Sequence, residues 1–344
     1  MSVSLLVILA FVVAFLASFA STPFARELAY KIGAIDVPKD ARRMHKIPTP
    51  RLGGIAIFLG FIIALVCFVI LTPEIIGIVI ASLIIVLMGM IDDKKPIKAW
   101  QKLLVQIVCA LIVAVSGVKI EVFTNPNLFS SSDYLLLGKL SIPVTVIWIV
   151  IITNAVNLID GLDGLAAGVA SISSVCLLVI SLMVSESNIA VLTACLAGAC
   201  FGFLPYNFNP ASIFMGDSGS NFLGFMLACI SIEGLFKGYA VISFAVPLLL
   251  LALPIFDTSV AILRRIKNKK PVMAPDRGHL HHKLVDMGFS QKQAVLILYT
   301  ISAVLGLAAI VFTGFGALRA IMLLCAALAG MLISIYFFKE RKDK

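Results

Sequence analysis

IIGIVIASLIIVLMGMIDD, residues 75–93, is an unbroken apolar run that ends in two adjacent carboxylates, Asp92 and Asp93. Residues 75–91 as a helix, at 1.5 Å each, span about 25 Å, close to the hydrocarbon thickness of a bilayer. The aspartate pair then falls at the membrane surface. Similar runs recur along the whole chain, and the expected spans are about 3–23, 53–71, 75–91, 103–118, 141–153, 164–184, 189–204, 219–236, 240–262, 293–313 and 317–338. Only polar interruptions separate them, too short for a sizeable soluble domain.

Composition agrees. The 344 residues are 61% hydrophobic and 13% charged, with a mean hydropathy of +1.09, whereas soluble domains carry roughly 25% charged residues. A soluble globule is excluded. Because lipid offers no partner to an open backbone, such runs must be helices. The expected fold is therefore all-α: one polytopic integral membrane domain over 1–344, a bundle of about eleven transmembrane helices. The first run carries Ser18-Phe19-Ala20, a small-x-small pattern like a cleavage site. No basic residue precedes Leu5 and Arg26 follows the run, the reverse of a signal peptide's charge order, so it reads as a span. The seven cysteines all lie inside apolar runs without metal-like spacing and read as small buried hydrophobes.

Numbering the connections alternately puts 23 of the 27 Lys and Arg residues on one side, in 24–52, 92–102, 264–292 and the tail. Lys119, Lys139, Lys237 and Arg319 are left for the other. Such asymmetry marks the rich loops as cytoplasmic, with the amino terminus outside and the carboxyl terminus inside. The loops near 24–52, 92–102, 154–163, 205–218 and 264–292 then share one face, where a site is to be sought. A nucleic-acid partner is not expected; the bilayer is the obligatory one.

Three acidic segments lie on that face. Asp92 and Asp93 bind something cationic, or else form a solvated helix end neutralised by Lys94 and Lys95; the pair alone does not decide. In Asn154-Ala155-Val156-Asn157-Leu158-Ile159-Asp160-Gly161-Leu162-Asp163-Gly164, a helical turn would align Asn154, Asn157, Asp160 and Asp163 at a spacing of three. A capped helix end accounts for one carboxylate but not for four aligned polar groups near lipid, where unpaired groups are costly. The third segment, 205–220, contains Asn207 and Asp217 and has no Lys or Arg despite lying on the basic side. Asp217 is either an ordinary helix cap or a metal ligand. Hard oxygen donors from several loops suit Mg²⁺, which keeps waters and is completed by substrate phosphates, and Asp217 is the first choice to hold it.

The basic side has two motifs. Asp276-Arg277-Gly278-His279-Leu280-His281-His282 holds three of the four histidines. No cysteine is near, which disfavours zinc, and with Arg277 the cluster suits a diphosphate or sugar. The loop 42–54, with His45, rigid prolines and a closing Gly53-Gly54, is a shaped positive element, part of whose charge is topogenic. Arg264 and Arg265 read as mostly topogenic. Asp257, inside an apolar run, is expected to face the bundle interior and support the site from behind.

These five ordered motifs, over nearly the whole chain, resemble the polyprenyl-phosphate N-acetylhexosamine-1-phosphate transferase family. The spacing His279-x-His281-His282 and the Pro48-x-Pro50-Arg51-x-Gly53-Gly54 loop look like its UDP-N-acetylglucosamine branch; the peptidoglycan branch, which uses UDP-N-acetylmuramoyl-pentapeptide, has three consecutive histidines where Leu280 interrupts here. The resemblance implies eleven helices and transfer of GlcNAc-1-phosphate from UDP-GlcNAc to undecaprenyl phosphate with release of UMP, at the bacterial cytoplasmic membrane. It implies Mg²⁺, with Mn²⁺ as a substitute, and a homodimer is a further expectation. Asp92, Asp93, Asp160 and Asp163 are the expected catalytic residues. Asp217 and Asp93 are the expected metal ligands. His45, Asn154, Asn157, Asn207, Arg277, His279, His281 and His282 are the expected substrate contacts. A transporter is the alternative of a different class, but the polar residues gather at one face and no internal repeat is evident.

Overall fold

The computed structural model describes residues 2–38, 47–124, 134–184, 187–236, 245–269 and 278–328. Within them helices occupy every apolar run: α1 (Val3–Ile32), α2 (Gly53–Phe68), α3 (Pro73–Lys94), α4 (Ala99–Val115), α5 (Ser141–Ile159), α6 (Leu165–Met183), α7 (Ser187–Asn207), α8 (Gly216–Ser231), α9 (Ala245–Leu250), α10 (Ala252–Lys267), α11 (Leu280–Asp286) and α12 (Gln291–Phe315), then α13 (Ala317–Leu328). Six of these, α1, α3, α5 with the turn before it, α6, α7 and α12, are long and apolar enough to cross a membrane. The chain is a multi-pass helical membrane protein.

Local chemistry sets the helix ends. Thr72 caps α3, its hydroxyl accepting from Ile75 N, and Pro73 fills the first helical position, where no N–H is needed. Two boundaries differ from expectation. The connection expected from residue 24 begins only after Ile32, because α1 runs through Pro23 and stops at Gly33, in the left-handed region at φ 75°. Membrane helices tolerate such a proline, and beside it Thr22 Oγ1 donates to Ser18 O at 2.7 Å. The run 240–262 is broken at Leu251 between α9 and α10. Pro254 has no N–H for the carbonyl of Leu250, which accepts instead from Ser173 Oγ at 3.0 Å.

α8 is the axis of the bundle, with every residue but Asp217 buried. α2, α3, α5 and α6 pack around it, and α1 lies across α2 and α7. Leu, Ile and Phe side chains on the outer faces of α1 to α5 are exposed, including Leu16, Ile63 and Leu87, as a lipid-facing surface requires. Two short antiparallel ribbons, Ile35–Asp36 with Thr49–Pro50 and Val122–Thr124 with Tyr134–Leu136, close connections. The alternation of the chain brings the carboxyl ends of α1, α3, α5 and α7 together with the amino ends of α2, α4, α6 and α8.

Candidate active site

The site is built on the first turn of α8. A helix start leaves four N–H groups without helical partners, and here a side chain from another helix takes them. Asp93 Oδ1 accepts from Asp217 N at 2.7 Å, and Asp93 Oδ2 accepts from Ser218 N at 3.1 Å and Ser218 Oγ at 2.8 Å. A carboxylate at a helix amino terminus also meets the positive end of the dipole. Both oxygens of Asp93 are thus committed and its side chain is fully buried. Beside the expectation of Asp93 as a metal ligand and catalytic group, the structure gives it a further role: it fixes Asp217 in place.

Asp92 points elsewhere. Its Oδ1 accepts from Ile97 N at 2.8 Å and its Oδ2 from Lys102 Nζ at 2.7 Å. Lys102 Nζ donates also to Asp217 Oδ2, so one ammonium joins the two carboxylates. On the other flank the Arg51 guanidinium stands 3.5 Å from Asp217 Oδ1 and 3.7 Å from Asp93 Oδ1. Arg51 is held there by backbone pairing: Phe214 N donates to Pro50 O at 2.8 Å, Gly53 N to Phe214 O at 3.0 Å and Gly54 N to Met215 O at 2.8 Å.

Asn154 and Asn157 share a face of α5, as the spacing predicts, but it is turned toward α4 and α8. Asn154 Nδ2 donates to Gln106 Oε1 at 2.6 Å, Gln106 Nε2 to Asn221 Oδ1 at 2.9 Å, and Asn221 Nδ2 to Asp217 O at 2.8 Å. Asn157 Nδ2 donates to Ser220 Oγ at 2.7 Å. Both amides therefore brace α8. The helix ends at Ile159, so the repeat does not continue to Asp163. Asp163 Oδ2 accepts from Asn209 Nδ2 at 2.8 Å and Ala211 N at 3.1 Å, which makes it the anchor of the 209–211 turn. Asn207 is likewise turned inward, 3% exposed, donating to Ile213 O at 3.0 Å.

Asp160, just past the end of α5, has no hydrogen-bond or ion-pair partner for its carboxylate among the described residues. Burial pushes its carboxyl up to about 7, helped by the negative charge of Asp217 and opposed by Arg51, with Asp93 and Asp163 adding to the rise. The histidine motif arrives beside it. The rings of His279 and His281 stack with centroids 5.6 Å apart, and those of His281 and His282 lie 4.3 Å apart. A Cβ at Gly161 would lie 2.3 Å from His281 Nε2, so only glycine lets this ring seat against the turn. Burial, then the neighbouring His282 and His279, push His281 down to about 3 against the pull of Asp257. His281 is therefore a neutral packing ring at physiological pH, not a cationic contact. His279 is held by Asp257, Nδ1 to Oδ2 2.9 Å. His45 and Arg277 lie outside the described residues.

Four carboxylates, Asp92, Asp93, Asp160 and Asp217, thus surround two cations, Arg51 and Lys102. Among the described residues no three His, Cys, Asp or Glu side chains converge at metal-binding distances. The hard pair that does converge, Asp92 with Asp217, already holds a cation between its oxygens, and one or two carboxylates completed by phosphates and water are the usual environment of Mg²⁺. The donor set fits that ion. From sequence Arg51 stands out only as part of the Pro48–Gly54 motif and Lys102 only as loop charge, although the four residues 95–98 between α3 and α4 force an antiparallel hairpin that sets Lys102 level with Asp92.

The comparisons with known proteins point the same way. The family model of glycosyl transferase family 4 matches residues 75–235, the stretch carrying Asp92, Asp160 and Asp217. The chain is 41% identical over 306 residues to a probable undecaprenyl-phosphate N-acetylglucosaminyl 1-phosphate transferase of Bacillus subtilis, covering 89% of this chain and 84% of that one. It is 33% identical to a decaprenyl-phosphate N-acetylglucosaminephosphotransferase of Mycobacterium tuberculosis, over 94% of this chain and 87% of the other. To the undecaprenyl-phosphate alpha-N-acetylglucosaminyl 1-phosphate transferase of Escherichia coli it is 28% identical, over 82% and 77%. With its polar groups gathered where eight helix ends meet, the chain belongs to glycosyl transferase family 4, among the polyprenyl-phosphate N-acetylhexosamine-1-phosphate transferases.

Proposed function

We propose that this protein transfers GlcNAc-1-phosphate from UDP-GlcNAc to undecaprenyl phosphate, releasing UMP, as the first lipid-linked step of an envelope glycan. The observation that carries it is the convergence of Asp92 and Asp217 on one cation at the membrane-surface end of α3, α4 and α8. A lipid phosphate anchored by its tail and a soluble nucleotide sugar can meet only at headgroup level, and a site at the ends of apolar helices suits that level. The concentration of 23 of the 27 Lys and Arg residues on the loops of this face makes it the cytoplasmic one. Eleven spans then put the amino terminus outside and the carboxyl terminus inside.

Both reactants are anionic and, among the described residues, the site has more carboxylates than cations, so a divalent ion would help to bring them together. Asp217 and Asp92 would hold Mg²⁺ or Mn²⁺, which when bound screens the phosphates and stabilises charge in the phosphoryl-transfer transition state. Arg51 and Lys102, released in part from the carboxylates, face the incoming phosphate oxygens as charged donors. Asp160, unpartnered and titrating near neutrality, is suited to orient the acceptor phosphate and take its proton. An oxygen of the lipid phosphate attacks the β-phosphorus of UDP-GlcNAc, the bond to the UMP oxygen breaks, and the sugar keeps its own bond to oxygen.

The direct test is UMP release by purified protein with undecaprenyl phosphate, Mg²⁺ and either UDP-GlcNAc or UDP-N-acetylmuramoyl-pentapeptide. Release from the first alone is expected. Release from the second alone would move the chain to peptidoglycan synthesis, and none from either, in folded protein, would overturn the transferase reading.

A pH prediction follows from Asp160. With its carboxyl at about 7 in the metal-free protein, a growing share is protonated as pH falls below 7, and a cation binding beside it must displace that proton. Mn²⁺ affinity, read by electron paramagnetic resonance, is expected to weaken from pH 8 to pH 6. Asp160→Asn should flatten this dependence; an unchanged slope in the variant would remove Asp160 from the cation's surroundings.

A further inference from the structure

The chemistry proposed above uses the α8 cluster, yet the buried carboxylate of α10 takes no part in it. Asp257 sits in the middle of α10, 5% exposed, ten residues before that helix ends at Lys267. A buried carboxylate without partners would cost several kcal/mol. Both oxygens of Asp257 are satisfied, and both by the histidine motif: Oδ2 meets His279 Nδ1 at 2.9 Å and Oδ1 accepts from Leu280 N, the first residue of α11, at 2.8 Å. Two turns further along the same face, Arg264 Nη1 donates to Gly278 O at 2.8 Å. One stripe of α10 therefore grips three consecutive residues of the motif, and Arg264, expected to be topogenic, belongs to the grip.

We infer that Asp257 is a positioning residue: through His279 Nδ1 it fixes the orientation and tautomer of that ring and so presents the histidine motif to the turn at Asp160-Gly161. The inference rests on the transferase reading for its functional consequence. An ionised carboxylate can only accept a hydrogen bond, so Nδ1 must carry the proton, and only Nε2 is left to meet a ligand. The apolar residue of the motif contributes separately: Leu280 packs against the core beside Ile159, Leu165, Leu253 and Leu298. Orientation of a ligand-facing ring by a carboxylate behind it commonly decides 10–100-fold in activity or affinity.

The chain has four histidines, so the ring nitrogens of ¹⁵N-histidine-labelled full-length protein can be assigned by single substitutions. Wild type is expected to show His279 protonated at Nδ1. Asp257→Asn keeps an acceptor for Leu280 N and offers an N–H to Nδ1, which forces the proton to Nε2; kcat for UMP release should fall about 10–100-fold with a smaller change in KM for UDP-GlcNAc. Because Asp257 acts through His279, adding Asp257→Asn to His279→Gln should cost nothing further. An Nε2–H tautomer in wild-type protein, unchanged kcat in Asp257→Asn, or additive losses in the double variant would each overturn the inference. The tautomer is read without substrate. Wild-type protein that shows Nδ1–H but releases no UMP would therefore sink the transferase reading and leave the positioning geometry standing.

Discussion

Asp217→Asn is expected to reduce UMP release by about 10³-fold, a loss of about 4 kcal/mol of transition-state stabilisation. Asp217 is the residue on which the other charges converge: Lys102 and Arg51 both reach its carboxylate, and its backbone is fixed by Asp93 and Asn221. Asparagine keeps the shape but removes the charge that would hold a divalent ion. The loss should be accompanied by a weakened Mn²⁺ signal and by little change in melting temperature, because the bonds made by the backbone of Asp217 survive. Near-normal turnover at low Mg²⁺ would show that the ion is held elsewhere.

The second large effect needs no charge. At Gly54 a Cβ would stand 2.1 Å from Gly219 N and 2.4 Å from its Cα, backbone atoms that cannot turn aside. Gly54→Ala must therefore push α2 away from the first turn of α8, at an overpacking cost of about 1–3 kcal/mol. The displacement reaches Asp217 and, through the pairing of 50–54 with 214–215, Arg51 as well. Shifts of about 1 Å in positioned groups cost about 10²-fold in rate. The expected result is a lower melting temperature in detergent together with a loss of activity of that order. A variant with wild-type kcat would show that α8 does not need this close approach.

The architecture was legible because membrane helices announce themselves by length and apolarity, and the charge asymmetry pointed to the face that holds the site. What periodicity could not show was where a helix tolerates a proline, as at Pro23, or restarts at one, as at Pro254, where the Ser173 hydroxyl takes the carbonyl that the proline leaves free. The residues that converge, Asp92, Asp160 and Asp217, were named from sequence. Their neighbours carry structural contacts that the sequence could not show. Consecutive residues on a helix point about 100° apart, so Asp92 turns to Lys102 of α4 and Asp93 to the first turn of α8. Asn154 and Asn157 were correctly seen as polar groups that need partners, and those partners lie on other helices, whereas Asn207 bonds the carbonyl of Ile213 just beyond its own helix. Lys102 was hidden among basic residues whose charge alone is explained by topology, and Arg51 was legible only as a member of the Pro48–Gly54 motif.

The way α8 is gripped has a consequence for how the protein is made. Its first turn depends on Asp93, Gln106, Asn157 and the backbone around Gly54, all synthesised before it. A ribosome inserting this chain leaves those groups waiting, with Asp92 and Lys102 already paired across their hairpin. The catalytic face then closes in one late event, when residues 216–221 enter among helices already in the bilayer. The histidine motif is later still, docking on α10 after the pocket exists. Nascent chains halted short of α8 should therefore contain most of the membrane domain and none of the active site, so that a cell acquires the activity only with nearly complete molecules.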